Sequence, residues 1–115
     1  MQTRSFQTRN GTTLHFSALG LGTAPLGDLY ERLDEKTSIG TVEQAWRSGV
    51  RLFDTSPHYG NGLAESRLGA GLRNVAREDL VVSTKVGRVM NPFGRAAERN
   101  PHAYSPGFAG GFPHA

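Results

Sequence analysis

The sequence predicts an α/β fold with a parallel sheet, because segments typical of strands and of amphipathic helices alternate along its first 90 residues. The order is strand, helix, strand, helix, strand, which right-handed crossovers convert into neighbouring parallel strands. Residues 91–115 lack such a pattern and are interrupted by Pro92, Pro101, Pro106 and Pro113. We therefore divide the chain into a folded region, 1–90, and a Pro/Gly-rich loop or tail, 91–115.

Composition excludes several classes of protein. The 115 residues contain no cysteine, which excludes disulfides, thiol catalysis and cysteine-based metal sites, and we predict no metal site of any other kind. No apolar run approaches the roughly 18 residues that span a bilayer, and the N-terminus lacks the apolar core of a secretory signal. We expect a cytoplasmic protein without a membrane partner. The net charge of +3 comes from scattered basic residues, which argues against a nucleic-acid partner.

A β-hairpin is predicted at residues 4–16. Its two arms, RSFQT and TLHFS, flank Asn10-Gly11, a pair that tolerates the positive φ angles of a tight turn. Residues 18–27, ALGLGTAPLG, then begin as a short buried strand that Gly22 and Pro25 bring to an end.

The first helix is predicted at residues 34–49. Ile39, Val42 and Trp46 recur on one face, the acidic residues come first, and Gly49 is a plausible stop. A strand follows at residues 50–54, and a loop, TSPHYGN, at residues 55–61.

The second helix is predicted at about residues 62–73, where Ala64, Leu68 and Leu72 share one face. Gly69-Ala70-Gly71 within it is interpreted as a packing feature, and Glu65 and Arg67 as ordinary solvated charges. The β-branched segment 80–85, LVVSTK, is predicted as the next strand. This set of elements is one side of a doubly wound sheet, or three-eighths of a (β/α)₈ barrel, with both edges open. We therefore expect a fragment or truncated form of something longer.

Three residues with complementary chemistry are predicted at one end of the sheet. Asp54 ends the second parallel strand, Lys85 ends the third, and Tyr59 lies on the loop after Asp54. Active sites of α/β proteins lie at this carboxyl end. An ammonium lowers the pKa of a nearby phenol, and a carboxylate keeps the lysine charged. The phenol can then exchange a proton with an alcohol or carbonyl oxygen, as hydride transfer to or from a nicotinamide requires.

Each of these residues alone has a plainer interpretation: an Asx turn at Asp54, loop packing at Tyr59, a solvated strand end at Lys85. Their combination favours catalysis. The segments LGLGTAPLG, FDTSPHYGNGLAESRLGAGL and REDLVVSTKVGR resemble the N-terminal third of an aldo-keto reductase. The pattern is most similar to the subgroup that includes L-fucose, D-threo-aldose and pyridoxal dehydrogenases.

The resemblance implies a (β/α)₈ barrel of which this chain supplies the hairpin, the first three strands and two helices. It implies NAD or NADP as cofactor. Tyr59 matches the family's proton donor, Lys85 the partner that lowers the pKa of the phenol, and Asp54 the carboxylate that pairs with the lysine. Gly22, Thr23 and Asp54 match cofactor-binding positions.

The sequence departs from the family's pattern at its catalytic histidine, which ends the fourth strand. His114 follows Gly-Gly-Phe-Pro and is interpreted as a loop residue. The predicted function is an NAD(P)-dependent oxidoreductase that transfers a hydride between the nicotinamide and a sugar or small aldehyde or alcohol. The alternative is a truncated, inactive fragment that lacks that histidine and most of the cofactor site. The oligomeric state is left open.

Overall fold

The computed structural model describes residues 1–88, and the predicted tail at 91–115, with His114, lies outside them. The strands are β1 (Thr3–Gln7), β2 (Thr13–Ser17), β3 (Leu21–Gly22), β4 (Leu52–Asp54) and β5 (Val81–Ser83). The α-helices are α1 (Glu35–Arg47) and α2 (Leu63–Gly71), and short 3₁₀ helices cover Ala24–Gly27 and Arg77–Asp79. Met1–Thr84 forms one compact unit, and Lys85 begins a second. All of these helices and strands belong to the first unit.

The predicted hairpin is present, with a three-residue loop at its turn. β1 and β2 are antiparallel, with Thr3 opposite Ser17 and Gln7 opposite Thr13. The Thr8 N–H donates to the Thr12 carbonyl at 2.8 Å, which leaves a three-residue loop between them. Gly11 has φ 88°. Asn10 does not have a positive φ, since Asp28 and Asn61 are the only non-glycine residues of the described chain that do. The positive φ of this turn therefore falls on Gly11 and not on Asn10.

The three remaining strands form the predicted parallel sheet, in the order β3-β4-β5. Gly22 lies opposite Asp54, and Asp54 lies opposite Ser83. Two hydrogen bonds continue the ladders past the strand ends: Thr23 N–H to the Asp54 carbonyl at 2.9 Å, and Thr55 N–H to the Ser83 carbonyl at 2.8 Å. β4 is therefore central, and its carboxyl end is held from both sides.

Local signals define both ends of α1. The Asp34 carboxylate accepts from the Thr37 N–H at 2.7 Å and caps the first turn. At the other end, the N–H groups of Gly49 and Val50 donate to the carbonyls of Trp46 and Ala45, both at 3.0 Å. Gly49 has φ 96°, so the helix ends in a Schellman motif. The prediction that Gly49 stops this helix is confirmed.

The two helices cover one face of the sheet and approach each other closely at Gly71. A Cβ atom on Gly71 would lie 2.6 Å from the Cβ of Val42, whereas one on Gly69 would meet nothing within 4 Å. Val42 of α1 and Phe53 of β4 are fully buried, and Leu68 of α2 belongs to the same core. The packing role predicted for the Gly69-Ala70-Gly71 segment is thus confirmed at Gly71. Within residues 1–88 no helix is long and apolar enough to cross a membrane.

Candidate active site

Asp54 lies at the carboxyl end of the central strand, where the sequence predicts it. The preceding residue, Phe53, is fully buried in the core. Because successive side chains of a strand point to opposite faces, Asp54 points away from that core. It is half-buried, with Gly22 on one side and Ser83 on the other. This side chain therefore sits between the ends of both neighbouring strands.

Tyr59 lies on a tightly folded loop between β4 and α2. Its N–H donates to the Ser56 carbonyl at 3.1 Å, and its carbonyl accepts from the Ala64 N–H at 3.1 Å. The residue is half-buried and packs against the hydrophobic core. Both main-chain polar groups of Tyr59 are thus satisfied, one within the loop and one by the first turn of α2, which leaves the residue little conformational freedom.

The Tyr59 loop rests directly on the 3₁₀ helix that follows β3. A Cβ on Gly60 would lie 2.5 Å from the Gly27 carbonyl oxygen, and a Cβ on Gly27 would lie 2.9 Å from the Gly60 nitrogen. No real Cβ approaches backbone atoms so closely, so both positions require glycine. This close backbone approach joins the loop after β3 to the loop after β4.

Gly22 and Thr23 lie beside Asp54 but differ in exposure. Gly22 is exposed, and a Cβ built on it would meet nothing within 4 Å. Thr23 is fully buried, and its hydroxyl has no hydrogen-bond partner in the described part of the chain. A buried hydroxyl without a partner is uncommon, because its desolvation is uncompensated. Thr23 therefore has hydrogen-bonding capacity to spare next to Asp54.

Lys85 follows the end of β5 at Ser83 by two residues and is the first residue of the second unit. Its pairing with Asp54 and Tyr59 stays a prediction from the sequence. In residues 1–88 no group of three or more His, Cys, Asp or Glu side chains is arranged to hold a metal ion.

The prediction that Arg67 is a solvated charge is wrong. Arg67 is only 5% exposed. Its guanidinium forms ion pairs with Asp28 at 2.8 Å and Glu35 at 2.9 Å. The hydrogen bonds that Arg67 donates to these two carboxylates raise the pKa of Arg67, and the one to Asp28 lowers the pKa of that carboxyl. The helical spacing could have indicated this burial, because Arg67 stands three residues after Ala64 and one before Leu68, on the buried face of α2.

Several known proteins are similar to this chain. It is 47% identical over 79 residues to a D-threo-aldose 1-dehydrogenase from a Pseudomonas species, covering 69% of this chain and 24% of that protein. It is 44% identical over 90 residues to the L-galactose dehydrogenase of Arabidopsis thaliana, covering 76% and 28%. Against the pyridoxal 4-dehydrogenase of Microbacterium luteolum it is 49% identical over 79 residues, covering 69% and 23%. The chain thus spans about a quarter of the length of these curated relatives.

The fold is also similar to that of a solved structure. The crystal structure of a Pseudomonas aeruginosa protein described as an aldo-keto reductase superimposes with a TM-score of 0.55 and 37% sequence identity. The match covers 68% of this chain and 29% of that one, so the hairpin, strands and helices described above are part of an incomplete (β/α)₈ barrel. The aldo/keto reductase family profile matches residues 18–106. The chain belongs to the aldo/keto reductase family.

Proposed function

We propose that this chain carries part of the active site of an NAD(P)-dependent oxidoreductase. The reaction is hydride transfer between the nicotinamide and a sugar or a small aldehyde or alcohol. One observation carries the proposal: Asp54 ends the central strand between Gly22 and Ser83, and Tyr59 follows on the loop that packs against the turn after Gly22. The names of the relatives, which include an aldose and a galactose dehydrogenase, support a sugar substrate. Such small water-soluble substrates fit a cytoplasmic enzyme.

In this proposal Tyr59 moves the proton. Its phenol oxygen donates a proton to the carbonyl oxygen of the substrate during reduction, and accepts it from the alcohol during oxidation. The Lys85 ammonium favours the phenolate form and so supports proton release, and the Asp54 carboxylate holds that ammonium and keeps it charged.

The residues after β3 fit a nicotinamide cofactor. Gly22 is exposed and has no atom within 4 Å of a built Cβ, so a flat ring can approach the backbone closely there. The Thr23 hydroxyl is unpartnered within residues 1–88 and can donate or accept a hydrogen bond next to Asp54. Gly22, Thr23 and Asp54 would hold the cofactor on this side. The bound cofactor would supply or accept the hydride.

The test compares Tyr59→Phe with Tyr30→Phe, which changes a tyrosine that is 77% exposed. Turnover is followed as the change in NADH or NADPH absorbance with a panel of aldoses and aldehydes. Loss of the phenol proton should reduce kcat by about 100-fold or more, the usual contribution of a positioned acid or base. Tyr30→Phe should leave kcat unchanged. Full turnover in Tyr59→Phe would refute the role of this tyrosine.

A second candidate is a folded but catalytically inactive chain. The observation that favours it is coverage, because the chain spans about a quarter of its relatives' length. It predicts a cooperative unfolding transition without NAD(P)H turnover on any substrate of the panel. Turnover abolished by Tyr59→Phe would exclude it.

A further inference from the structure

Arg67 ties α2 to the segment between β3 and α1. One guanidinium nitrogen, Nη1, donates to the Leu26 carbonyl at 2.7 Å and to the Asp28 carboxylate at 2.8 Å. Nη2 donates to the Leu33 carbonyl and Nε to the Glu35 carboxylate, both at 2.9 Å. All three guanidinium nitrogens therefore bind segments that precede or begin α1. Such a planar set of donors is specific to arginine.

Two of these partners stand on either side of Gly27. Leu26 and Asp28, which share the Nη1 atom of Arg67, are the chain neighbours of the glycine against which Gly60 packs. The Gly27 backbone leaves no room for a Cβ at position 60, so a shift of Gly27 would be transmitted to the Tyr59 loop.

The helix that carries Arg67 is also bonded directly to the Tyr59 loop through the backbone. α2 begins at Leu63, directly after the Tyr59 loop, and the Ala64 N–H of its first turn donates to the Tyr59 carbonyl at 3.1 Å. Tyr59 is thus held on one side by α2 and on the other by the turn that contains Gly27. Arg67 is the side chain that connects these two supports.

We infer that Arg67 is a positioning residue for Tyr59. This inference rests on the proposed function, in which the Tyr59 phenol moves the proton. Arg67 itself is 5% exposed and its three nitrogens are engaged by protein oxygens, so it does not contact substrate. Its effect is to keep the loop after β3 and the loop after β4 in one arrangement.

The first test measures turnover in the full chain. Arg67→Met keeps the length of the apolar stem but removes the donors, and a displaced catalytic group should lower kcat by about 100-fold. Arg67→Lys keeps the charge without the planar fork, and its kcat should lie between those of the unsubstituted chain and Arg67→Met. If Arg67→Met does not fold, the lysine variant should still fold and takes its place in the test. Arg73→Met, which changes an exposed arginine just after α2, is the matched control and should be unaffected.

The double variant Tyr59→Phe/Arg67→Met separates positioning from a general structural role. If Arg67 acts through Tyr59, the second substitution should reduce kcat no further than Tyr59→Phe alone. Losses that multiply in the double variant would overturn the inference.

Hydrogen exchange provides a readout that needs no activity. Arg67→Met should speed exchange of the Tyr59 and Ala64 amides, whose bonds fold the loop, and leave the β1–β2 amides protected. Unchanged protection at Tyr59 and Ala64, or equal loss in the hairpin, would overturn the inference. If Tyr59→Phe does not affect turnover, the proposed function fails, while the exchange result still decides whether Arg67 holds the Tyr59 loop.

Discussion

Two glycines of α2 should respond oppositely to the same substitution. A Cβ on Gly69 would meet no atom within 4 Å, so Gly69→Ala should gain helix propensity alone, about 0.5–1 kcal/mol of unfolding free energy. A Cβ on Gly71 would lie 2.6 Å from the Cβ of Val42 and 3.3 Å from the Ile39 carbonyl oxygen. Overpacking of this kind costs about 1–3 kcal/mol, and Gly71 is the last residue of α2, where propensity contributes less. We expect the two variants to differ by about 1.5–4 kcal/mol.

The assay is urea unfolding followed by far-UV circular dichroism, with the two variants and the unsubstituted chain measured together. The midpoint should rise for Gly69→Ala and fall for Gly71→Ala, while the denaturant slope stays the same in all three. Each variant adds the same methyl group to the same helix, so most of the difference comes from the contact with α1. Equal midpoints would refute the close approach of α1 and α2 at Gly71.

Two further predictions concern charge and the end of α1. The hydrogen bonds from Arg67 and Thr37 lower the pKa values of Asp28 and Asp34 below 3.8, so both carboxylates stabilise the fold above that pH. The free energy of unfolding should fall as the pH drops below about 4, the pKa of an unfolded aspartate. The fall should be less steep in Asp28→Asn than in the unsubstituted chain. Urea midpoints of the two proteins that run parallel from pH 5 to pH 2 would contradict this. Gly49→Ala should lose about 1–2 kcal/mol, because Gly49 has φ 96°; a midpoint no lower than the unsubstituted chain's would show that no strain arises.

The order of the helices and strands was predictable because the spacing of the apolar residues and the residues that end each element indicate the same segments. Ile39, Val42 and Trp46 recur on one face of α1, and Gly49 stands where the helix stops. Short β-branched or apolar segments between the helices became parallel strands in chain order. Local signals suffice for α1 and α2 because each helix buries residues of the face that its own sequence marks as apolar.

Features that depend on tertiary contacts were predicted poorly. Arg67 was interpreted as solvated because arginine is usually exposed, although its position between Ala64 and Leu68 places it on the buried face. Its burial depends on carbonyls and carboxylates more than thirty positions earlier in the chain. The 3₁₀ helix at Ala24–Gly27 was also missed, since its packing partner, the Tyr59–Gly60 backbone, is equally remote. Single-sequence patterns carry no information about such pairings.

The candidate site also combines predictable and unpredictable features. Asp54 was predicted from its position at the end of a strand, and the sheet register places it beside Gly22 and Ser83. Tyr59 was predicted to lie on the following loop, at the same end of the sheet as Asp54. How that loop is held could not be predicted, because two glycine backbones and a buried arginine hold it.

The placement of Tyr59 and the proposed proton transfer depend on different residues, and this affects how an active chain differs from an inactive one. The contacts that hold the Tyr59 loop come from residues between Thr23 and Arg67, all within the unit Met1–Thr84. The proposed partner of the phenol, Lys85, begins the other unit. An inactive chain can therefore keep Tyr59 correctly placed and still lack turnover, because placement and proton transfer depend on different parts of the sequence. Exchange protection at Ala64 reports the first property and kcat reports the second, so measuring both in one preparation distinguishes a misplaced tyrosine from an incomplete active site.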